Sequence, residues 1–281
     1  MKILLIGHSI IDNIDNKTLP GGVFYSTLGF LLNMNPQDEL YVVTSWNKKY
    51  YSLFEKLYSK VNQKYFQYFE EMPEVFLDTS GNEERREVYK NISSTLNTDL
   101  INDLNSFDGI LINMITGFDI SLQQLKTLRK NYDGKIYFDI HSLARGIDKN
   151  MNRNFRPIPN VEEWLSCIDI LQCNNNELQT IFQGEENNAA KFVLSSGVNI
   201  LLITKADKGS CAYFYENNKI KKLEMNAINV ETLNKIGCGD IFGATFFYNY
   251  LKIEEIESSL SIANEAGAKA ASTRKLTILI N

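Results

Sequence analysis

The segment Asn234-Lys-Ile-Gly237-Cys238-Gly239-Asp240 is followed by a long amphipathic run with helical spacing that reaches Leu251. Two glycines separated by one small residue, then an acid, set a tight turn of exposed backbone N–H groups at a helix N-terminus. Such a turn is an anion hole. Its fixed dipoles stabilise the negative charge that spreads over the outer oxygens of a phosphoryl group as it leaves its donor. An acid in the first helical turn stays ionised beside the helix dipole, so Asp240 can accept a proton from an attacking hydroxyl. For an isolated Gly-x-Gly-Asp the plainer reading is commoner: a turn with an N-cap or first-turn acid.

Further polar residues stand where an α/β sheet presents ligands. Asn174-Asn-Asn-Glu177 follows the aliphatic run Ile168–Cys173; an amide and a carboxylate three residues apart share one face of a first helical turn. The same pair also reads as an N-cap with its capping box. Leu201-Leu-Ile-Thr204-Lys-Ala206-Asp-Lys-Gly209 reads as a strand and turn, and Phe138-Asp139-Ile-His141-Ser-Leu-Ala-Arg145 as another strand end. For His141, a local hydrogen-bonding role is as open as contact with a ligand.

The elements that must position these residues are legible as short aliphatic runs: Ile3–Ile6, Leu40–Thr44, Gly109–Asn113, Lys135–Ile140, Ile168–Cys173 and Asn199–Thr204. Each is followed by a turn and a helical pattern, the rhythm of βαβ units whose strands are buried on both faces. The expected architecture is a three-layer α/β/α fold around a mostly parallel sheet, forming one domain over residues 1–281. Glu74–Asn91 breaks the rhythm: it reads as two short strands around a Ser80-Gly81-Asn82 turn, a hairpin within 72–92 that suits a lid. An ordinary edge hairpin with a solvated charge cluster over Glu83–Glu87 fits the pattern equally well.

The ordered landmarks resemble the PfkB family of ribokinase-like carbohydrate kinases. The segment ending at Asp240 is similar to the family's Asp-Thr-x-Gly-Ala-Gly-Asp. The resemblance implies ATP-dependent phosphoryl transfer to a hydroxyl of a sugar or nucleoside-type substrate, with Asp240 as base and Gly237, Cys238 and Gly239 as anion hole. Asn174 and Glu177 look like the Asn-x-x-Glu that organises Mg²⁺ and phosphates. Thr204, Ala206 and Gly209 are similar to a Thr-x-Gly-x-x-Gly nucleotide turn, with Ala206 where glycine is usual, and Asn264 falls in an alanine-rich helix beside the expected adenine. Gly7-His-Ser-Ile-Ile-Asp12 resembles a first strand ending in a substrate-binding Asp, and Pro20-Gly21-Gly22 an early Gly-Gly that contacts substrate. Asp139, His141 and Arg145 fall where the family places polar active-site residues. Departures are Ser26 in place of the Asn after the early glycines, and Asn234 and Ile236 in place of Asp and Thr, which puts monovalent-cation activation in doubt. In the family, lids sometimes pair edge to edge between subunits, which leaves a homodimer open.

Composition narrows the alternatives. A net charge of −5 argues against a broad nucleic-acid-binding face. Four cysteines without a CxxC pair, and two histidines, argue against a disulfide framework or structural zinc. The apolar run before Gly7 is too short for a signal-peptide core or a membrane span, so a cytoplasmic protein is expected. No Walker A loop is present. Two other readings stand beside the sugar kinase: a nucleoside kinase of the same fold, and a non-catalytic nucleotide- or sugar-binding module.

Overall fold

The computed structural model describes residues 1–78 and 86–279. Its strands are β1 (Lys2–Ile6), β2 (Ser9–Ile14), β3 (Lys17–Gly22), β4 (Glu39–Trp46), β5 (Phe66–Tyr68), β6 (Glu74–Asp78), β7 (Arg86–Asn91) and β8 (Gly109–Asn113). They continue with β9 (Lys135–Asp139), β10 (Arg145–Ile147), β11 (Arg153–Phe155), β12 (Ile170–Asn174), β13 (Ile200–Thr204), β14 (Ser210–Glu216) and β15 (Lys219–Met225). The helices are α1 (Val23–Leu31), α2 (Tyr51–Tyr58), α3 (Leu122–Lys130), α4 (Val161–Leu165), α5 (Asn175–Ile181), α6 (Glu186–Ser195), α7 (Cys238–Ile253) and α8 (Ile256–Ala271).

Nine strands form the main sheet in the order β15-β14-β13-β12-β9-β8-β1-β4-β5. From β13 to β5 all neighbours are parallel, and the β14–β15 hairpin closes one edge antiparallel. Period-2 alternation splits the aliphatic runs between two cores. On one face Ile3, Leu5, Val42, Leu111 and Leu202 pack with α1, α2, α7 and α8; on the other Leu4, Ile6, Val43, Ile112 and Ile203 pack with α3 to α6. Each such side chain contributes roughly 1.5–3 kcal/mol by leaving water, which is why near-continuous apolar runs were needed in the strands. The expected three-layer arrangement with a mainly parallel sheet is the one found.

The parallel strands end together, and their C-terminal residues are polar or small: Gly7 after β1, Asn113 on β8, Asp139 on β9, Asn174 on β12 and Thr204 on β13. Over this edge lies a second sheet of four strands, β3-β2-β6-β7. The expected hairpin within 72–92 supplies β6 and β7, paired antiparallel; its Ser80-Gly81-Asn82 turn and most of the Glu83–Glu87 cluster lie outside the described residues. The other two strands come from Ser9–Gly22, a second hairpin. Asp12 therefore sits in the middle of a separate strand rather than at the end of the first. The chain leaves the main sheet at Gly7, where a Cβ would lie 2.6 Å from the Asn113 carbonyl oxygen, and Ile11 N–H then bonds to Pro73 instead. The short β10–β11 ribbon leads back to this second sheet, with Tyr89 N–H donating to the Met151 carbonyl.

Candidate active site

The N-terminus of α7 is built as the glycine spacing demands. Gly237 caps the helix with φ +77°, and a Cβ there would stand 2.4 Å from the Tyr25 ring. Gly237 is therefore required by conformation and by space. Asn234 braces the approach: its amide donates to the Ile236 carbonyl at 2.8 Å while its oxygen accepts from Ile236 N–H at 3.1 Å. Asp240 lies in the first turn, half-buried, and its Oδ1 accepts from Asn113 Nδ2 at 2.6 Å. The same amide reaches Ser26 Oγ at 3.0 Å, so Asn113 joins β8, α1 and α7.

Gln172, in the middle of β12, holds the turn from below. Its Nε2 donates to the Gly239 carbonyl at 3.1 Å and to Asp139 Oδ2 at 3.0 Å, while its Oε1 accepts from the Tyr137 hydroxyl. A side chain at Gly243 would collide with both Gln172 and Tyr137. This strap fixes the first turn of α7 against the sheet, so its N–H groups point at one place without reorganising.

Three acids converge beside it. Burial first, then the charges of Glu177 and Asp240, push the Asp139 carboxyl well above the usual carboxylate range. Glu177 is a capping-box residue: its Oε2 accepts from Asn174 N–H at 2.8 Å while Asn174 Oδ1 accepts from Glu177 N–H at 2.9 Å. The cap and a ligand role are compatible, because Glu177 Oε1 faces His141 Nδ1 at 4.0 Å. His141 carries φ +26°, a conformation rare for a residue with a side chain, and its N–H donates to Asp139 Oδ1 at 3.1 Å. Strain of this kind concentrates at ligand sites.

Asp12, Tyr25, His141, Gly237 and Asp240 line one cavity under the second sheet, together with Gly22, Glu87, Tyr89 and a set of aliphatic side chains. Asp12 is buried and its carboxylate lies directly over Gly21, where a Cβ would come within 2.4 Å of all three carboxylate atoms. Gly21 thus serves Asp12, while Gly22, with φ +68°, starts α1.

The candidate nucleotide residues gather elsewhere. Thr204 ends β13 opposite Ser210, and Lys205 N–H to Gly209 O closes the turn between them with Ala206 at φ +50°. Alanine tolerates here the conformation for which glycine is the usual choice. Asn264 on α8 donates to the Asn226 carbonyl at 2.9 Å and accepts from Ser210 Oγ at 3.3 Å. One turn on, a Cβ at Gly267 would lie 3.8 Å from the Cys238 carbonyl oxygen, so α8 runs close to the α7 turn.

Arg145 lines neither cluster: its guanidinium lies over the Phe155 ring, 4.3 Å from the centroid. Sequence reasoning missed Asn113, Gln172 and Glu87. A polar residue closing or interrupting an apolar strand was the available signal for the first two; for Glu87 only the pairing register shows where it points.

A mainly parallel three-layer body with a small sheet over its strand ends, and a carboxylate at a helix N-terminus in the cavity between, defines the ribokinase-like class. The sequence profile of the pfkB family of carbohydrate kinases matches residues 119–280, and the chain belongs to that family. A pyrophosphate-dependent kinase in the ribokinase family superposes with a TM-score of 0.75 at 15% identity, covering 99% of each chain. Ribokinase from Arabidopsis thaliana, complexed with ribose and ATP, gives 0.74 at 18% identity over 98% of this chain and 93% of its own. At these identities the likeness shows the fold. An uncharacterized sugar kinase of Archaeoglobus fulgidus is 24% identical over 122 residues, 43% of this chain, and the match spans about half, 47%, of that relative. No helix among the described residues is long and apolar enough to cross a membrane.

Proposed function

We propose that the chain transfers a terminal phosphoryl group, from ATP as donor, to a hydroxyl of a sugar or sugar-like polyol, with Asp240 as general base. The observation that carries this reading is the placement of Asp240: in the first turn of α7, beside the N–H groups of Gly237–Gly239, in the same cavity as the buried Asp12. Asp12 accepts hydrogen bonds from substrate hydroxyls and orients one of them towards Asp240. Asp240, aimed by Asn113, takes that proton as the oxygen attacks phosphorus. The α7 turn, held by Gln172, receives the charge on the transferring group.

A divalent cation fits beside this turn. Asp139, Glu177 and Asp240 oppose one another's ionisation, as Asp139 shows, and a cation relieves that repulsion. Among the described residues no three acidic, His or Cys side chains are arranged as ready direct ligands; this suits Mg²⁺, which keeps several waters and takes few carboxylates. Glu177 and Asn174 would hold it, Asp139 lying close behind. When bound, it neutralises charge on the donor phosphates.

The four-stranded sheet acts as a lid. Closing it excludes water, which would otherwise compete for the phosphoryl group. Thr204, Ala206, Gly209 and Asn264 make the donor end.

Pyrophosphate is the second donor reading. Asn264, the candidate adenine contact, already uses its amide on Asn226 and Ser210, and a pyrophosphate-dependent ribokinase-family enzyme has the same fold. The deciding experiment assays phosphoryl transfer from Mg-ATP and from Mg-pyrophosphate to pooled sugars, cyclitols and nucleosides. Transfer that disappears with Asp240→Asn supports the reading, and the active donor and pool name the substrates. Donor binding without transfer to any pool would instead favour a non-catalytic module.

A further inference from the structure

The segment that follows β8 is fixed more firmly than a surface connection needs. Asp119 is buried, and one oxygen of its carboxylate accepts from Thr116 N–H, Thr116 Oγ1 and Gly117 N–H while the other accepts from His8 N–H. The loop after β9 packs directly against this segment: a Cβ at Gly117 would lie 2.6 Å from the Ser142 carbonyl oxygen. The two loops start from Asn113 and Asp139, the last residues of β8 and β9, so they carry the floor of the active site.

Arg153 closes the seam between them. It is only 6% exposed, and its Nη1 donates to the Thr116 carbonyl and its Nη2 to the Ser142 carbonyl, both at 2.5 Å. The same guanidinium lies over the Tyr89 ring, 5.1 Å from the centroid, and the Tyr89 hydroxyl donates to the Ile115 carbonyl at 3.2 Å. Tyr89 belongs to β7 and lines the cavity that holds Asp240. One guanidinium therefore meets both floor loops and the inner wall of the small sheet. The backbone repeats the connection beside it: Val88 pairs with Asn152, and Tyr89 N–H donates to the Met151 carbonyl at 3.0 Å.

Packing alone does not call for an arginine here. Taking a guanidinium out of water is costly, and a methionine would fill much of the same space without that cost. Arginine offers a rigid planar fork that reaches two carbonyls at once and leaves a flat face for an aromatic ring. Lysine has the charge without the fork, and methionine has the stem without either. Because the two carbonyls belong to separate loops, the fork sets the spacing of the loops together with the seat of Tyr89.

We propose that Arg153 is a positioning residue that seats β7, through Tyr89, on the loops following β8 and β9, so that the cavity wall and the phosphoryl-binding floor keep one register during transfer. This rests on the kinase reading above and adds the residue that ties the lid to the floor. Asp240 and the α7 turn are held by Asn113 and Gln172, bonds that do not pass through Arg153. Losing the seat therefore leaves the floor chemistry in place but frees the wall, and the phosphoryl group goes more often to water.

The test uses the full chain as wild type, Arg153→Met, Arg153→Lys, Tyr89→Leu and the double variant Arg153→Met with Tyr89→Leu. Amide exchange is followed on the free protein: the Tyr89 amide should exchange about tenfold faster in Arg153→Met than in wild type, while Leu111 in β8 keeps its rate. With Mg-ATP or Mg-pyrophosphate and pooled sugars and cyclitols, the ratio of phosphate released to water over phosphate transferred should rise about tenfold in Arg153→Met. It should rise less in Arg153→Lys, and donor affinity, read by direct titration, should stay within about threefold in both. Tyr89→Leu should match Arg153→Met, and the double variant should be no worse than either, because both changes break the same contact. If Arg153→Met equals or betters Arg153→Lys in exchange and in the ratio, or if the effects add in the double variant, the side chain only fills space and the proposal falls. Should Arg153→Met not fold, a rise in both readouts in Arg153→Lys and Tyr89→Leu supports the proposal, and wild-type values in both overturn it. Absence of transfer from either donor in the wild type would remove the kinase reading, and the exchange rates alone would then decide whether Arg153 seats the lid.

Discussion

Asn113 Nδ2 donates to Asp240 Oδ1 at 2.6 Å, joining the end of β8 to the first turn of α7 across 127 residues of sequence. The bond fixes which oxygen of Asp240 remains turned towards the cavity, so Asn113 acts through the acid as a positioning residue. Asn113→Ala should lower kcat by about ten- to a hundredfold, the worth of a hydrogen bond to a charged group, with a smaller change in KM. Asp240→Asn should cost about a hundred- to ten-thousandfold as the base is lost. The double variant should be little slower than Asp240→Asn alone, since residues acting as a unit are not additive. Steady-state kinetics on the three variants checks this, and full additivity would refute the positioning role.

Gly21→Ala tests the acceptor side. The added methyl would meet the Asp12 carboxylate within 2.4 Å, and as a β-strand residue Gly21 has no easy escape. Asp12 must swing off its position. KM for the acceptor should rise at least tenfold while the affinity for the donor, read by direct titration, stays within about threefold, because one displaced charge-assisted hydrogen bond accounts for that change. Equal loss on both sides would point to general misfolding instead.

These two contacts show which parts of the site the sequence could reveal. Gly237–Asp240 and Asn174–Glu177 were legible because local geometry makes them: a turn into a helix and a capping box are specified within a few residues. The strands were legible because burial on both faces leaves few polar positions to confuse the reading. Asn113 and Gln172 are single polar residues in such strands, and their meaning comes only from α7, which lies far along the chain. Asp12 was placed at the end of the first strand by the family resemblance alone, the aliphatic run itself stopping at Ile6; the break at Gly7 depends on how closely β8 approaches. Glu87 lay in a charge cluster that reads as solvated, and only the pairing of β7 with β6 turns it inwards.

Glu186 gives a pH dependence away from the chemistry. Partial burial alone would raise its carboxyl, but hydrogen bonds from Lys205, Tyr213 and Lys222 outweigh that and hold it down at about 2, against 4.5 unperturbed. The unfolded chain therefore binds more protons between these values. The stabilisation is fully present above about pH 4.5 and is lost as pH falls towards 2. Since the pair with Lys205 is partly solvated, with Glu186 28% exposed, it amounts to about 1 kcal/mol. Glu186→Gln should be less stable than wild type at pH 6 and converge with it near pH 2 in thermal melts; a constant gap across that range would show that the charge is not what stabilises.

The two glycines of the α7 turn should behave differently, and the difference separates folding from function. At Gly237 the backbone has φ +77° and a Cβ would press on the Tyr25 ring at 2.4 Å, so Gly237→Ala should cost about 1–2 kcal/mol of backbone strain before any repacking of the tyrosine. At Gly239 φ is ordinary and the nearest atom to a Cβ is Gln172 Nε2 at 3.6 Å. Within a helix alanine is favoured over glycine by about 1 kcal/mol, so Gly239→Ala should melt at or above the wild-type temperature. The structure gives that position no reason of its own to be glycine; a phosphoryl group approaching the backbone N–H would supply one. Gly239→Ala should therefore keep the fold and lower kcat/KM by about a hundredfold, a loss on the scale of one oxyanion-hole donor. Melting curves and kinetics on the same preparations decide it: a variant both stable and fully active would mean that the anion does not bind at this turn.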